Sequence, residues 1–246
     1  MGIDPLLTYF LVLAVGYAAG IVSGIVGTGA TIILLPVLVF VFGPREAVPI
    51  MTVVALMSNV AKITSWWRAV DWRATAAYAA GGIPAAALGA RTLLVLPERA
   101  VDVALGVFFL AMIPGRRWLA SHNITLGFAG LALAGAVIGF LTGIVVSTGP
   151  LSVPAFAAFG LTKGAFIATE AAGSLALYVS KAATFHTFGA LPVDILVKGL
   201  ISGTSVMAGN YTARLVVERL SVHTFTRLLD GVMLAAGLSL LWAAVR

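Results

Sequence analysis

Cysteine is absent from the 246 residues, which excludes disulfides, thiolate nucleophiles and Cys-ligated metals. Charge is scarce too: Asp, Glu, Lys and Arg make up 10% of the chain, far below the roughly 25% of a soluble globular domain. The three histidines, His122, His186 and His223, stand singly at segment edges, with no HExxH run and no paired carboxylates. An enzyme would have neither a metal cluster nor a nucleophile with its base, and no cofactor is implied. The net charge of +6 comes from Lys and Arg scattered at segment ends, whereas nucleic-acid binders cluster them. Nucleic acid is therefore not an expected partner, and the scatter fits the positive-inside bias of membrane proteins.

What is abundant is apolar surface. Hydrophobic residues make up 61% of the chain, and the mean hydropathy is +1.08. The composition is that of an all-α integral membrane protein whose main partner is the lipid bilayer. The start, MGIDPLL, lacks a basic n-region, so it reads as the beginning of a first membrane segment rather than a cleaved signal peptide. A membrane helix needs about 20 apolar residues. Eight stretches qualify: Leu6 to Val26, Ala47 to Trp67, Trp72 to Val95, Ala100 to Leu119, Ile124 to Val146, Ala165 to His186, Val193 to Val217 and Thr224 to Val245. Two shorter apolar pieces, Ala30 to Phe42 and Pro150 to Phe159, follow glycine-rich breaks. They would extend only about 15 to 20 Å against a bilayer core of about 30 Å, and so read as broken or re-entrant half-helices.

The chain repeats itself around those breaks. GIVSGIVGTGATIILLP, from Gly20 to Pro36, is echoed by GFLTGIVVSTGPLSVP, from Gly139 to Pro154. Ser23 and Thr142 lie 119 positions apart, as do Lys62 and Lys181. Gly89 and Gly209 hold comparable places, and Gly106 and Gly231 do so at a slightly larger offset. Residues 5–44 and 123–162 are charge-free runs of 40 residues, each leading into a long helix with a lysine near its end. Residues 1–120 and 121–246 thus read as two homologous repeats, each of four long helices and one half-helix, giving 8 to 10 membrane segments. Such repeats are the signature of transporters whose site lies at discontinuous helices. If the short pieces turn back, the halves are parallel; if they cross, the halves are inverted.

Each glycine weakens a helix by roughly 1 kcal/mol against alanine, so Gly24, Gly27 and Gly29 are expected to break the first segment. A helix that starts after a break presents unpaired N–H groups and a partial positive charge, which suit an anion. Gly27, Thr28, Gly29 and Ala30 in the first copy, and Ser147, Thr148 and Gly149 in the second, are the expected donors. Pro150 fits a first helical position. The competing reading is that the glycines only let helices pack closely.

Ionisable residues inside apolar helices are functional candidates by default. Glu170, Ser174 and Lys181 fall within about 40° on one helical face. Lys181 would attract an anion, and Glu170 would carry a proton or pair with a cation. Thr52, Asn59 and Lys62 form the corresponding stripe of the first half, with Thr52 roughly in the place of Glu170. Against this, both lysines could snorkel to the headgroups, and Glu170 could sit at the interface. His186 is a second candidate for coupling through its titration, with an interfacial position as the alternative. Asn210 and Tyr211 read as interhelical partners, Asp102 and Asp230 as helix-start residues, and Trp66, Trp67 and Trp72 as an aromatic belt.

The sequence G-x-x-S-G-x-x-G-x-G-A at Gly20 to Ala30, the L-P at Leu35 and Pro36, and the second copy from Gly139 to Pro154 resemble the sulfite exporter TauE/SafE family. The resemblance covers essentially the whole chain. It implies transport of small anions, commonly sulfur-containing ones such as sulfite or organosulfonates, across the inner (cytoplasmic) membrane. The expected function is a secondary transporter, with export the expected direction, coupled to a proton or sodium ion and free to form a homo-oligomer. An anion channel using the same half-helix ends is the alternative.

Overall fold

The computed structural model describes residues 5–26, 29–97, 125–145, 149–161 and 163–216, with isolated helical positions at 100, 103, 107, 110, 111, 114 and 234. The described part is helical, with no strand. The long helices are α1 (Pro5–Val26), α3 (Pro44–Trp66), α4 (Trp72–Val95), α5 (Phe128–Val145), α7 (Lys163–Thr187) and α8 (Val193–Val216). Two short helices, α2 (Ala30–Phe42) and α6 (Gly149–Ala158), follow the glycine-rich stretches where the sequence places them. The expected segments Ala100 to Leu119 and Thr224 to Val245 lie largely outside the described residues.

Local chemistry sets the boundaries. Gly29, at φ 124°, and Gly43, at φ 78°, adopt backbone conformations that a side chain disfavours, and each immediately precedes a helix. Pro44 then opens α3 with its φ preset. Asp71 caps α4, its Oδ1 accepting from the amides of Arg73 and Ala74 at 2.9 and 3.0 Å. Gly24 does not break α1, which continues helical to Val26. That residue serves packing instead: a Cβ there would run into the backbone of Asn210 and the side chain of Ala213.

Both short helices run back to the end from which the preceding long helix sets out, which is the crossing case expected to invert the halves. The ring of Phe42, at the end of α2, lies 6.3 Å from that of Tyr9, near the start of α1. Likewise the Leu126 amide, just before α5, donates to the carbonyl of Ala158 at the end of α6, 2.9 Å away. Taking the start of α1 as the near end of the bundle, α2 returns the chain to that end. The helix α3 then runs to the far end and α4 comes back.

The second half runs the other way. The helix α7 starts where α3 finishes, with Gly164 against the Trp66 ring and the Asp71 amide on Thr169 Oγ1 at 2.9 Å. It lies alongside α4 in the same direction, pairing Gly173 with Tyr78, Leu177 with Gly82 and Ser180 with Ile83. The helix α8 follows α3, from the Lys198–Glu46 ion pair to Asn210 on Ser58 and Tyr211 on Thr64. Each member of the pairs α1/α5, α3/α7 and α4/α8 therefore points opposite to its counterpart. The third long helix of each half packs against the first of the other, α4 on α5 and α8 on α1. Glycines make this close: a Cβ on Gly20 would strike the Val206 backbone, and one on Gly139 the Gly82 backbone. The packing reading of these glycines thus holds for the helix seams.

By length and composition, Pro44–Ala69 and Trp72–Val95 suffice to cross a membrane; Tyr9–Gly24 and Phe128–Ile144 are apolar but shorter.

Candidate functional site

The starts of α2 and α6 meet at one cavity of about 40 Å³. Gly29, Ala30 and Thr31 line it from the first break and Gly149 from the second, so two helix N-termini with their unpaired amides face the same space. Gly27, Thr28, Ser147 and Thr148 lie outside the described residues. The remaining walls come from α1, α3, α5 and α7. They pair off: Ser23 with Thr142, Met51 with Glu170, Ala55 with Ser174, Ser58 with Leu177 and Asn59 with Tyr178 are each 119 positions apart, and all ten line the cavity. The cavity therefore sits where the two antiparallel halves are related to each other. Its shape is shared between the halves while its chemistry is not.

The asymmetry centres on Glu170, which is 2% exposed. Its Oε1 accepts from Ser152 Oγ at 2.7 Å and Ser174 Oγ at 2.8 Å. Its Oε2 is buried and has no hydrogen-bond partner. In the first half the corresponding position is Met51, not Thr52, whose hydroxyl turns back to the Val48 carbonyl at 2.9 Å. The interfacial reading of Glu170 fails on its burial.

Lys62 lines the cavity and is buried, so it does not snorkel. Lys181, fully buried, behaves differently. Its Nζ donates to the Thr142 carbonyl at 2.7 Å and stands 5.3 Å from the Phe185 ring, and it is not among the lining residues. A larger hollow of about 390 Å³ opens at the near end, lined by Arg45, Glu46 and Phe185. Phe185, Lys181 and Thr142 form a chain of contacts from that hollow to the cavity.

The other candidates fall into place around this. Asn59 and Ser174 line the cavity. His186 is exposed near the end of α7 and does not. Asn210 donates to Ser58 Oγ at 2.9 Å as an interhelical partner, and the Tyr211 hydroxyl lies 3.0 Å from Thr64 Oγ1. Trp66, Trp67 and Trp72 are exposed. Asp102 and Asp230 lie outside the described residues. Sequence reading passed over Ser152 and Tyr178 and saw in Thr142 only the echo of Ser23; extending the 119-residue offset from Asn59 would have found Tyr178. Among the described residues no cluster of His, Asp and Glu could hold a metal ion.

No curated protein and no solved structure matches the chain. The family comparison does, over residues 12–240: the chain belongs to the sulfite exporter TauE/SafE family.

Proposed function

We propose that this member of a transporter family is a secondary carrier that exports small sulfur-containing oxyanions, sulfite above all, across the cytoplasmic membrane by alternating access. The observation that carries the proposal is the convergence of both half-helix starts on one cavity whose walls are contributed in pairs by antiparallel halves. Helix N-termini supply donors and partial positive charge to an anion. Residues 27–30 and 147–149 act as the backbone cradle, while Lys62, Asn59 and Ser174 supply side-chain contacts. Residues 1–120 and 121–246 act as inverted repeats that rock about the fixed site. The near-end hollow is the vestibule, and Phe185 with Lys181 separates it from the site. Glu170 carries the coupling cation.

The small cavity favours a carrier over a channel, since a conducting channel needs a continuous path and Phe185 with Lys181 stands between the cavity and the near-end hollow. Purified protein in liposomes tests this directly. Saturable sulfite flux that follows an imposed gradient is the expected result. Ohmic unitary currents would make the protein an anion channel instead.

A further inference from the structure

Ser152 has one hydroxyl hydrogen and two acceptors within reach, Glu170 Oε1 at 2.7 Å and the Gly149 carbonyl at 3.2 Å. With the carboxylate ionised, that hydrogen goes to Oε1 and the Gly149 carbonyl loses it. With a proton on Oε1, the acid O–H donates to Ser152 Oγ, and the serine hydrogen turns to Gly149. Gly149 is the first residue of α6 and lines the cavity. The protonation of Glu170 is thus written into the hydrogen bonds of a helix start that faces the cavity.

Charge balance points the same way. Facing Glu170 are Lys62 from α3, Tyr78 from α4 and Tyr178 on α7 itself; Lys181, about three turns further along α7, is held by Thr142. The helices α1, α2, α5 and α6 present the hydroxyls of Ser23, Thr31, Thr142 and Ser152. Beyond the end of α3, Arg68 lies 5.5 Å from the Trp67 ring, and the Asp71 carboxylate is spent on capping α4. The cavity wall therefore carries one cation, Lys62, and one carboxylate, Glu170, both buried. An anion entering beside an ionised Glu170 would put two negative charges into one small buried space, which is costly. A proton removes that charge without using any of the about 40 Å³, whereas a sodium ion would compete with the anion for the space.

We infer that, granted the carrier reading above, Glu170 is a proton site and that proton and anion occupy the cavity together and cross in the same direction. Export then runs down the anion's own gradient, and an acidic exterior opposes it. By linkage each ligand raises the affinity for the other by the same factor.

The test is sulfite binding to the purified full chain, compared with Glu170→Gln, from mildly acidic to mildly alkaline pH. Taking the ratio of the two cancels the protonation of sulfite itself. The wild-type Kd is expected to rise about tenfold or more relative to that of the variant as pH increases, and an external acid pulse is expected to drive sulfite into wild-type liposomes only. A constant ratio, or acid-driven accumulation by the variant, overturns the inference while leaving the anion site standing. Folded wild-type protein that binds no sulfite at any pH would sink the carrier reading along with it. If Glu170→Gln does not fold, Ser152→Ala serves. The ionised carboxylate loses one of its two donors, so sulfite binding is expected to persist to higher pH than in the wild type; an unmoved curve overturns the inference.

Discussion

The ammonium of Lys181 lies 2.7 Å from the carbonyl oxygen of Thr142, on a different helix and 39 positions away in the chain. Thr142 lies in the last turn of α5 as far as it is described, at the negative end of that helix's dipole. A lysine that the sequence offers as an anion attractor therefore holds the end of the helix leading into the second break.

Lys181→Met should act first on stability. Losing this charge-assisted hydrogen bond between buried groups costs roughly 1.5–3 kcal/mol, visible as earlier thermal unfolding in detergent. Lys62→Met should do the reverse: Lys62 lines the cavity, so sulfite binding weakens by about tenfold or more, the worth of one charge-assisted contact. Normal stability with lost binding in Lys181→Met would place Lys181 in the anion's path after all.

Gly20→Ala and Gly139→Ala each put a methyl group against backbone of the neighbouring helix, Val206 and Gly82 respectively. Backbone cannot move aside as a side chain can, so each should destabilise the protein by about 1–3 kcal/mol. Gly127→Ala, with nothing within 4 Å of the added carbon, is the control. Equal melting temperatures for all three would mean that the α1/α8 and α4/α5 seams are looser than described.

Much of this was legible in the sequence because it depends on local or periodic signals. The short helices α2 and α6 followed from apolar length after a break, and the pairing of Ser23 with Thr142, both of which line the cavity, from a constant offset. The direction of the second half was not legible, since helix polarity is recorded only in contacts such as Trp66 with Gly164. Nor could spacing reveal Ser152, whose role depends on Glu170 reaching it from another helix. Gly24 misled for a physical reason: a helical glycine weakens the helix but also admits a neighbour, and against α8 the packing gain wins.

The cavity's about 40 Å³ holds roughly three water-sized groups, given the 10–15 Å³ that one water requires. Sulfite is of that size, and an organosulfonate bearing a carboxymethyl arm is not. Competition against labelled sulfite should therefore rank sulfite ahead of sulfoacetate by about tenfold or more, the arm adding several methylene-sized groups to a site that lacks room for them. Equal competition by both would show that the cavity opens well beyond this size when occupied.

The lack of cysteine makes the chain's direction open to a clean test, because each introduced thiol is the only one present. Trp67 and Phe128 are exposed at the far end, the first following α3 and the second opening α5. Val95, Phe188 and Val193 are exposed at the near end, where α4 and α7 finish and α8 begins. Trp67→Cys and Phe128→Cys should then react with a membrane-impermeant maleimide from one face of the membrane, and Val95→Cys, Phe188→Cys and Val193→Cys from the other. Parallel halves would instead put the ends of α4 and α8 on the same face, and with them the starts of α3 and α7. Labelling of Trp67→Cys and Phe128→Cys from opposite faces would contradict the antiparallel packing of α3 and α7, and with it the alternating access that inverted repeats provide.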